Sequence, residues 1–212
     1  LKSWNLVNSP ESVGATIFEN WVLTLQNCLW DDEFAADEKV PMSRPSMDRT
    51  IQLIKSEPAA RWWDDVKTPS KESMSDIVMK SLQANVDTLV KQHGPQGPEW
   101  AWYKHKQTGV RHLIPGMDAL SRLNIPIGGG GTIVNAATTK TGPSWRLIVE
   151  LSKEGKPKAY GVYPGGQSGN PGSSHYDDLI DTWAKGELRP LLFLENPNQS
   201  SSRIRKTITL SK

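Results

Sequence analysis

The sequence is short of several things, and each shortage closes off a class of function. It has one cysteine, Cys28, which excludes an internal disulfide and any cysteine-built metal cluster. That scarcity fits a reducing compartment, or an exported protein that does without disulfides. No stretch approaches the roughly 20 apolar residues of a membrane-spanning helix. Neither sign of charge dominates: 25 Lys and Arg stand against 23 Asp and Glu, for a net charge of +2. Phosphate neutralisation needs a concentrated basic surface, so nucleic acid is not the expected partner. The chain opens at Leu1-Lys2-Ser3-Trp4, with no initiating Met and no signal peptide, as a trimmed or excised piece would. Its 212 residues, 36% of them hydrophobic, suffice for one large domain or two small ones.

Tryptophan is what the chain has in excess. Of its nine, four are near neighbours, at Trp62-Trp63 and Trp100-Ala101-Trp102. Such rings either form a sugar-binding platform or anchor the core of a helical lobe, the commoner use. Cys28, on an apolar helical stripe, reads as a small buried hydrophobe, not a reactive thiol.

The first half carries helical periodicity. Asn8-Ser9-Pro10-Glu11 is a helix start signal, after which Val13, Ile17, Trp21, Leu25 and Leu29 recur four apart on one face. Asp31-Asp32-Glu33 closes this run as a solvated acidic turn, because no glycine-centred calcium loop follows. A second helix is predicted over 46–56 with Met47, Ile51 and Ile54 on its inner side, stopped by Pro58. A third follows Thr68-Pro69-Ser70, with an apolar face from Met74 to Val90, and ends at His93-Gly94-Pro95.

The period then changes. Trp145, Leu147, Val149 and Leu151 alternate with Arg146, Ile148 and Glu150, and 158–163 is a second strand. Thr132-Ile133-Val134 reads as a strand start, 190–194 as a short strand, and 204–210 as a last one. Between them a Gly- and Pro-rich loop, 164–174, leads to a helix at about 174–185, with Ser174 and Asp177 as a capping pair. Helices first and strands second make the fold class α+β. The organisation is a helical segment over 1–95, a Trp- and Gly-rich connector over 96–131, and a sheet portion over 132–212.

Isolated chemistry-bearing residues resolve into bland readings. Gly128-Gly129-Gly130-Gly131 lacks the Lys-Ser/Thr of a phosphate loop. His93, His105 and His112 are irregularly spaced, so no metal site is expected. Ser168 has no nucleophile-elbow context, and a triad of Ser168, His175 and Asp177 would crowd three partners onto one loop. His175 reads as a neutral side chain at a helix N-terminus, and Gln167 and Ser168 as hydrogen-bond partners of their own loop.

Four stretches together resemble the penicillin acylase (penicillin amidase) family of N-terminal-nucleophile hydrolases. The strongest is Tyr163-Pro164-Gly165-Gly166-Gln167-Ser168-Gly169-Asn170-Pro171, followed by Ser174-His175-Tyr176-Asp177-Asp178 and Trp183-Ala184-Lys185-Gly186. Upstream, Gly142 to Glu150 is similar to the family's penultimate strand, and the segments around Trp63-Asp64-Asp65 and Trp100-Ala101-Trp102 look like its late helical and Trp-rich parts.

The resemblance implies the C-terminal part of a large subunit, whose strands would complete an αββα sandwich. The family's nucleophile is a serine opening the catalytic chain, with its own α-amine as base and an asparagine in the oxyanion site; both lie upstream of these motifs, and Leu1 is not that serine. No catalytic residue is therefore expected here. Gly165, Gly166, Gln167, Ser168, His175 and Tyr176 are expected as structural members of the motif. Arg146 and Glu150 are offered as supports of the catalytic machinery, since some cephalosporin-acylase-like members carry an acid at a similar strand position; the other reading is a cross-strand ion pair. The resemblance further implies hydrolysis of linear amides (side chains of β-lactam antibiotics or N-acyl homoserine lactones), no cofactor, the rest of one precursor as partner, and export to the periplasm. A Trp-rich carbohydrate- or cell-wall-binding module is the alternative, and a structural piece that self-associates through uncovered surface is a third reading.

Overall fold

The computed structural model describes residues 1–34, 43–153, 155–196 and 198–210. The parts of the expected 1–95 and 132–212 segments at 35–42, 154, 197, 211 and 212 lie outside the described residues. The fold is α+β, in two units, Leu1–Gln107 and Thr108–Lys212.

The first unit is helical. Its long helices are α1 (Val13–Phe34), α2 (Met47–Ser56) and α3 (Met74–His93), followed by a short α4 (Trp102–Lys106). Helix α1 begins later than its start signal, because the Ser12 hydroxyl accepts the Ala15 N–H at 3.1 Å and so caps the first turn. Helix α3 begins where local chemistry dictates: Ser73 and Asp76 form a reciprocal capping box, and Gly94 at φ 75° ends it.

Along α3, Ile77, Ser81, Asn85 and Leu89 are buried, a stripe of four-residue spacing that faces α1. Two of them are polar and bond across the seam. Trp21 Nε1 donates to Ser81 Oγ at 2.9 Å, and Asn85 Nδ2 donates to the Ile17 carbonyl at 3.1 Å. Leu25, Leu29, Trp30, Leu53, Trp63 and Ile77 form one core cluster; each buried Leu or Ile contributes roughly 1.5–3 kcal/mol. Cys28 is half-buried against this cluster, and burial raises its thiol pKa.

Two expectations in this unit are corrected. Residues Asp31, Asp32 and Glu33 are the last turn of α1 and not a solvated turn. Asp32 is buried, its Oδ2 accepting the Val66 N–H at 3.0 Å, and Lys67 Nζ donates to the Asp31 carbonyl at 3.2 Å. The Val66 amide offsets part of the cost of burying the Asp32 carboxylate, whose Oδ1 has no hydrogen-bond partner, and the Lys67 ammonium suits the negative end of the helix. In α2 the buried residues are Thr50 and Leu53, while Ile51 and Ile54 are both 40% exposed. The Thr50 face carries Leu53 into the core cluster, and Trp30 Nε1 satisfies the Thr50 hydroxyl, donating to Oγ1 at 3.1 Å.

The second unit holds a three-stranded antiparallel sheet, β1 (Arg146–Glu150), β2 (Lys158–Val162) and β3 (Arg189–Pro190), in that order, and a short helix α5 (Ile180–Lys185). The register places Arg146 opposite Val162 and Glu150 opposite Lys158. Ile125, Ile127, Ala137, Val162, Leu179 and Trp183 make its core.

The sheet is smaller than the alternation implies. Thr132-Ile133-Val134 forms turns and bends, because Gly130 N–H bonds the Asn135 carbonyl at 3.1 Å and folds the segment on itself. Strand β3 stops at Pro190, which has no N–H to give a ladder, although Leu191 N–H still reaches the Ala159 carbonyl at 2.7 Å. Residues 204–210 form no strand; their alternation finds no partner ladder among the described residues.

Candidate functional site

The motif loop after β2 is the best-defined feature of the second unit. It leaves the sheet at Tyr163, turns at Gly165 with φ 89°, and doubles back so closely that a Cβ on Gly166 would stand 2.7 Å from the backbone carbonyl carbons of His175 and Tyr176. Only glycine fits there. Short polar side chains then wind the loop. Ser168 Oγ accepts the Asn170 N–H at 3.1 Å, Asn170 Oδ1 accepts the Gly172 N–H at 2.9 Å, and Ser173 Oγ accepts the His175 N–H at 3.1 Å. Two backbone bonds close it: Ser168 N–H to the His175 carbonyl at 3.0 Å and Leu179 N–H to the Gly165 carbonyl at 2.9 Å.

The helix expected from 174 therefore begins at Ile180. Residues 174–179 are held by the loop instead, and the capping pair Ser174–Asp177 does not form. Asp177 is taken by Arg122, whose Nη2 and Nε lie 2.5 and 2.6 Å from its Oδ2. The same guanidinium lies 5.6 Å from the centre of the Tyr176 ring, and Tyr176 Oη donates to the Leu120 carbonyl at 2.8 Å. Arg122 is held in turn by the bridge between Val110 and Arg122. Val110, Arg122, Gly165, Gly166 and Tyr176 line a cavity of about 240 Å³.

Of the residues expected in the motif, Gly165, Gly166, Ser168 and Tyr176 are drawn into this wrap, while Gln167 is exposed on its outside. The His175 ring is exposed, with Nδ1 3.1 Å from Asp178 Oδ2; no helix N-terminus stands beneath it, since α5 starts five residues on. Ser168, His175 and Asp177 do not assemble as a triad: the imidazole faces Asp178 and Asp177 faces Arg122.

Arg146 and Glu150 occupy opposite ends of β1. The Arg146 guanidinium donates to the Trp183 carbonyl and, at 2.6 Å, to Asn135 Oδ1, and its carbon stands 5.4 Å from the Trp183 ring centre. Burial pulls its pKa down from the usual arginine range. Trp183 Nε1 donates to the Pro143 carbonyl at 2.9 Å. Glu150 is exposed, and among the described residues the two share no ion pair. Arg122, Asn135 and Asp177 as binding partners are invisible to sequence reasoning; Arg122 and Asp177 are 55 residues apart.

These side chains fasten a loop, a helix and a strand together. They present no nucleophile with an aligned base. Among the described residues no group of three His, Cys, Asp or Glu is placed to hold a metal ion, and no helix is long and apolar enough to cross a membrane. Trp30, Trp63, Trp100 and Trp183 are each 1% exposed and Trp102 5%, so these five are core anchors and not a sugar platform.

Comparison with known proteins adds a lineage to this geometry. The family model described as "Penicillin amidase" matches residues 1–199. The acyl-homoserine lactone acylase QuiP of Pseudomonas aeruginosa is 32% identical over 149 residues, 59% of this chain and 17% of that protein. A QuiP from Pseudomonas fluorescens is 30% identical over 227 aligned positions, 96% of this chain and 26% of that protein. The acyl-homoserine lactone acylase PvdQ of Pseudomonas syringae is 27% identical over 161 residues, 65% and 19% of the two chains. The chain thus spans about a quarter or less of the length of these curated relatives.

Proposed function

The chain belongs to the penicillin amidase family, matched over residues 1–199, and on that premise we propose that it is the C-terminal part of an acylase that hydrolyses linear amides. In this reading it supplies scaffold, and the reacting groups lie in the portion of the protein that precedes it: a serine at a chain N-terminus attacks the amide carbonyl, the amine leaves, and water releases the acid from the acyl-enzyme. A fatty-acyl amide such as an N-acyl homoserine lactone is the proposed substrate, on the strength of the relatives' names. The proposed place of action is the periplasm.

One observation carries the scaffold reading. Strand β1 turns Leu147 and Val149 to one face and Ile148, between Arg146 and Glu150, to the other, and all three apolar side chains stay half exposed: Leu147, Ile148 and Val149 are 50%, 54% and 44% exposed. A face of Leu147 and Val149 left half exposed suits a strand that a further layer covers, and this supports β1 as part of a larger sheet assembly. The remainder of the precursor is the proposed cover, which would complete an αββα sandwich. Arg146 locks β1 to α5 within that assembly, and Glu150 remains a proposed support of the machinery beyond it.

The test is amide hydrolysis by the full-length precursor beside the 212-residue chain, with a chromogenic fatty-acyl amide. Turnover by the precursor alone is expected. Turnover by the short chain would overturn the proposal.

A further inference from the structure

The end of α3 and the segment that follows it are joined through two imidazoles. His93, the last residue of α3, places Nε2 2.9 Å from Nδ1 of His105 in α4, with the rings edge-on at 66°. Trp102 stacks on the His105 ring at 11° and 5.9 Å. The same segment is tied down nearby: Trp100 Nε1 donates to the Gly94 carbonyl at 3.0 Å, and Tyr103 N–H donates to the Pro10 carbonyl at 2.9 Å. We propose that the His93–His105 bond is an acid-released clasp, which fastens residues 94–107 to the end of α3 in neutral solution and lets go when the pair takes up its second proton.

The proton count sets this behaviour. In the neutral pair one ring donates its N–H and the other accepts with a lone pair. A first proton enters on a nitrogen outside the bond and leaves an imidazolium donating to an imidazole. A second proton has only the accepting lone pair to occupy, so two N–H groups and two positive charges then face each other.

The surroundings do not relieve this. Glu19 on α1 accepts from Asn8 at 2.7 Å and acts on Lys106. Glu99 pairs with Lys104 at 2.5 Å. Lys106 stands 5.3 Å from the Trp102 ring centre, and Lys91 is the other cation in the last turn of α3. Burial, with the charge of His93 second, lowers His105 from 6.5 to about 4. A folded pKa below the unfolded one means that the unfolded segment binds more protons between pH 6.5 and 4. The clasp is therefore at full strength above that window and weakens as pH falls through it.

Hydrogen–deuterium exchange across this range, corrected for the intrinsic pH dependence of exchange, tests the clasp on the 212-residue chain. Protection over 94–107 is expected to fall by about tenfold or more, at tenfold per unit of differential proton affinity, while 77–89 stays protected. The His93→Phe, His105→Phe double variant should lose that pH dependence. Should the variant fail to fold at neutral pH, imidazole titration of the unaltered chain by NMR decides, with one ring expected to titrate near 4. Protection over 94–107 that is unchanged down to that pH, or two rings titrating at the ordinary histidine value, overturns the proposal.

Discussion

Arg122 and Asp177 meet at 2.5 Å across 55 residues of sequence, and their contact holds the motif loop three residues ahead of α5. Both side chains are more than a third exposed, so the pair contributes at the upper end of surface ion pairs, about 1 kcal/mol. Asp177→Asn should lower the thermal midpoint of the chain by a few degrees. Arg122→Lys should not substitute fully, because an ammonium cannot present both Nε and Nη2 to one carboxylate. Thermal unfolding followed by circular dichroism measures both.

The loop itself yields a matched pair of glycine substitutions. At Gly166 an added Cβ meets backbone carbonyl carbons at 2.7 Å, whereas at Gly169 it meets nothing within 4 Å. Gly166→Ala should cost about 1–3 kcal/mol, the range of overpacking into rigid surroundings. Gly169→Ala should be neutral. Urea midpoints of the two variants should separate accordingly, and equal midpoints would contradict the close approach of 166 to 175–176.

The start of α3 offers a pH-linked test. Ser73→Ala removes the cap and should cost about 1 kcal/mol. Hydrogen bonds from the Ser73 side chain and backbone lower the Asp76 carboxyl below its ordinary value of 3.8. A depressed carboxyl stabilises above its unfolded pKa and loses that contribution as pH falls through the folded one. The first turn of α3 should thus fray in strong acid in the native chain, and Ser73→Ala should flatten this dependence in amide exchange near residue 76.

Strand β1 separates stability from assembly. Ile148→Lys replaces a side chain that is 54% exposed, so the short chain should unfold within about 0.5 kcal/mol of the native one. In the proposed full-length acylase the same substitution should abolish amide hydrolysis, because a charge would be buried in the proposed covering layer. Normal precursor activity would show that β1 remains uncovered.

What the sequence disclosed and what it hid divide along physical lines. The glycine stop at Gly94 and the strand at 146–150 are local signals that the structure carries, while the capping box at Ser73, also local, sets the start of α3 three residues beyond the Thr68-Pro69-Ser70 signal. The late start of α5 depends on Leu179 bonding back to Gly165 and on Tyr176 reaching Leu120, contacts that no local window contains. Residues 204–210 show the opposite failure: alternation permits a strand, but a ladder partner makes one. Thr50 is buried in place of Ile51 because it shares a face with Leu53, which enters the core cluster, and the Trp30 indole satisfies its hydroxyl. Of the expected motif residues, the glycines were legible because tight turns demand them. Asp177 was read as a cap and serves as an ion-pair partner.

The uncovered strand has one more consequence. Among the described residues β1 has a neighbour on one side only, and Leu147-Ile148-Val149 is a short β-branched and aliphatic run with charge only at its flanks, Arg146 and Glu150. Such an edge is a template for growth by strand addition, chain upon chain. If the proposed larger assembly is what covers it, this segment produced alone is expected to favour insoluble material, with those two flanking charges opposing it.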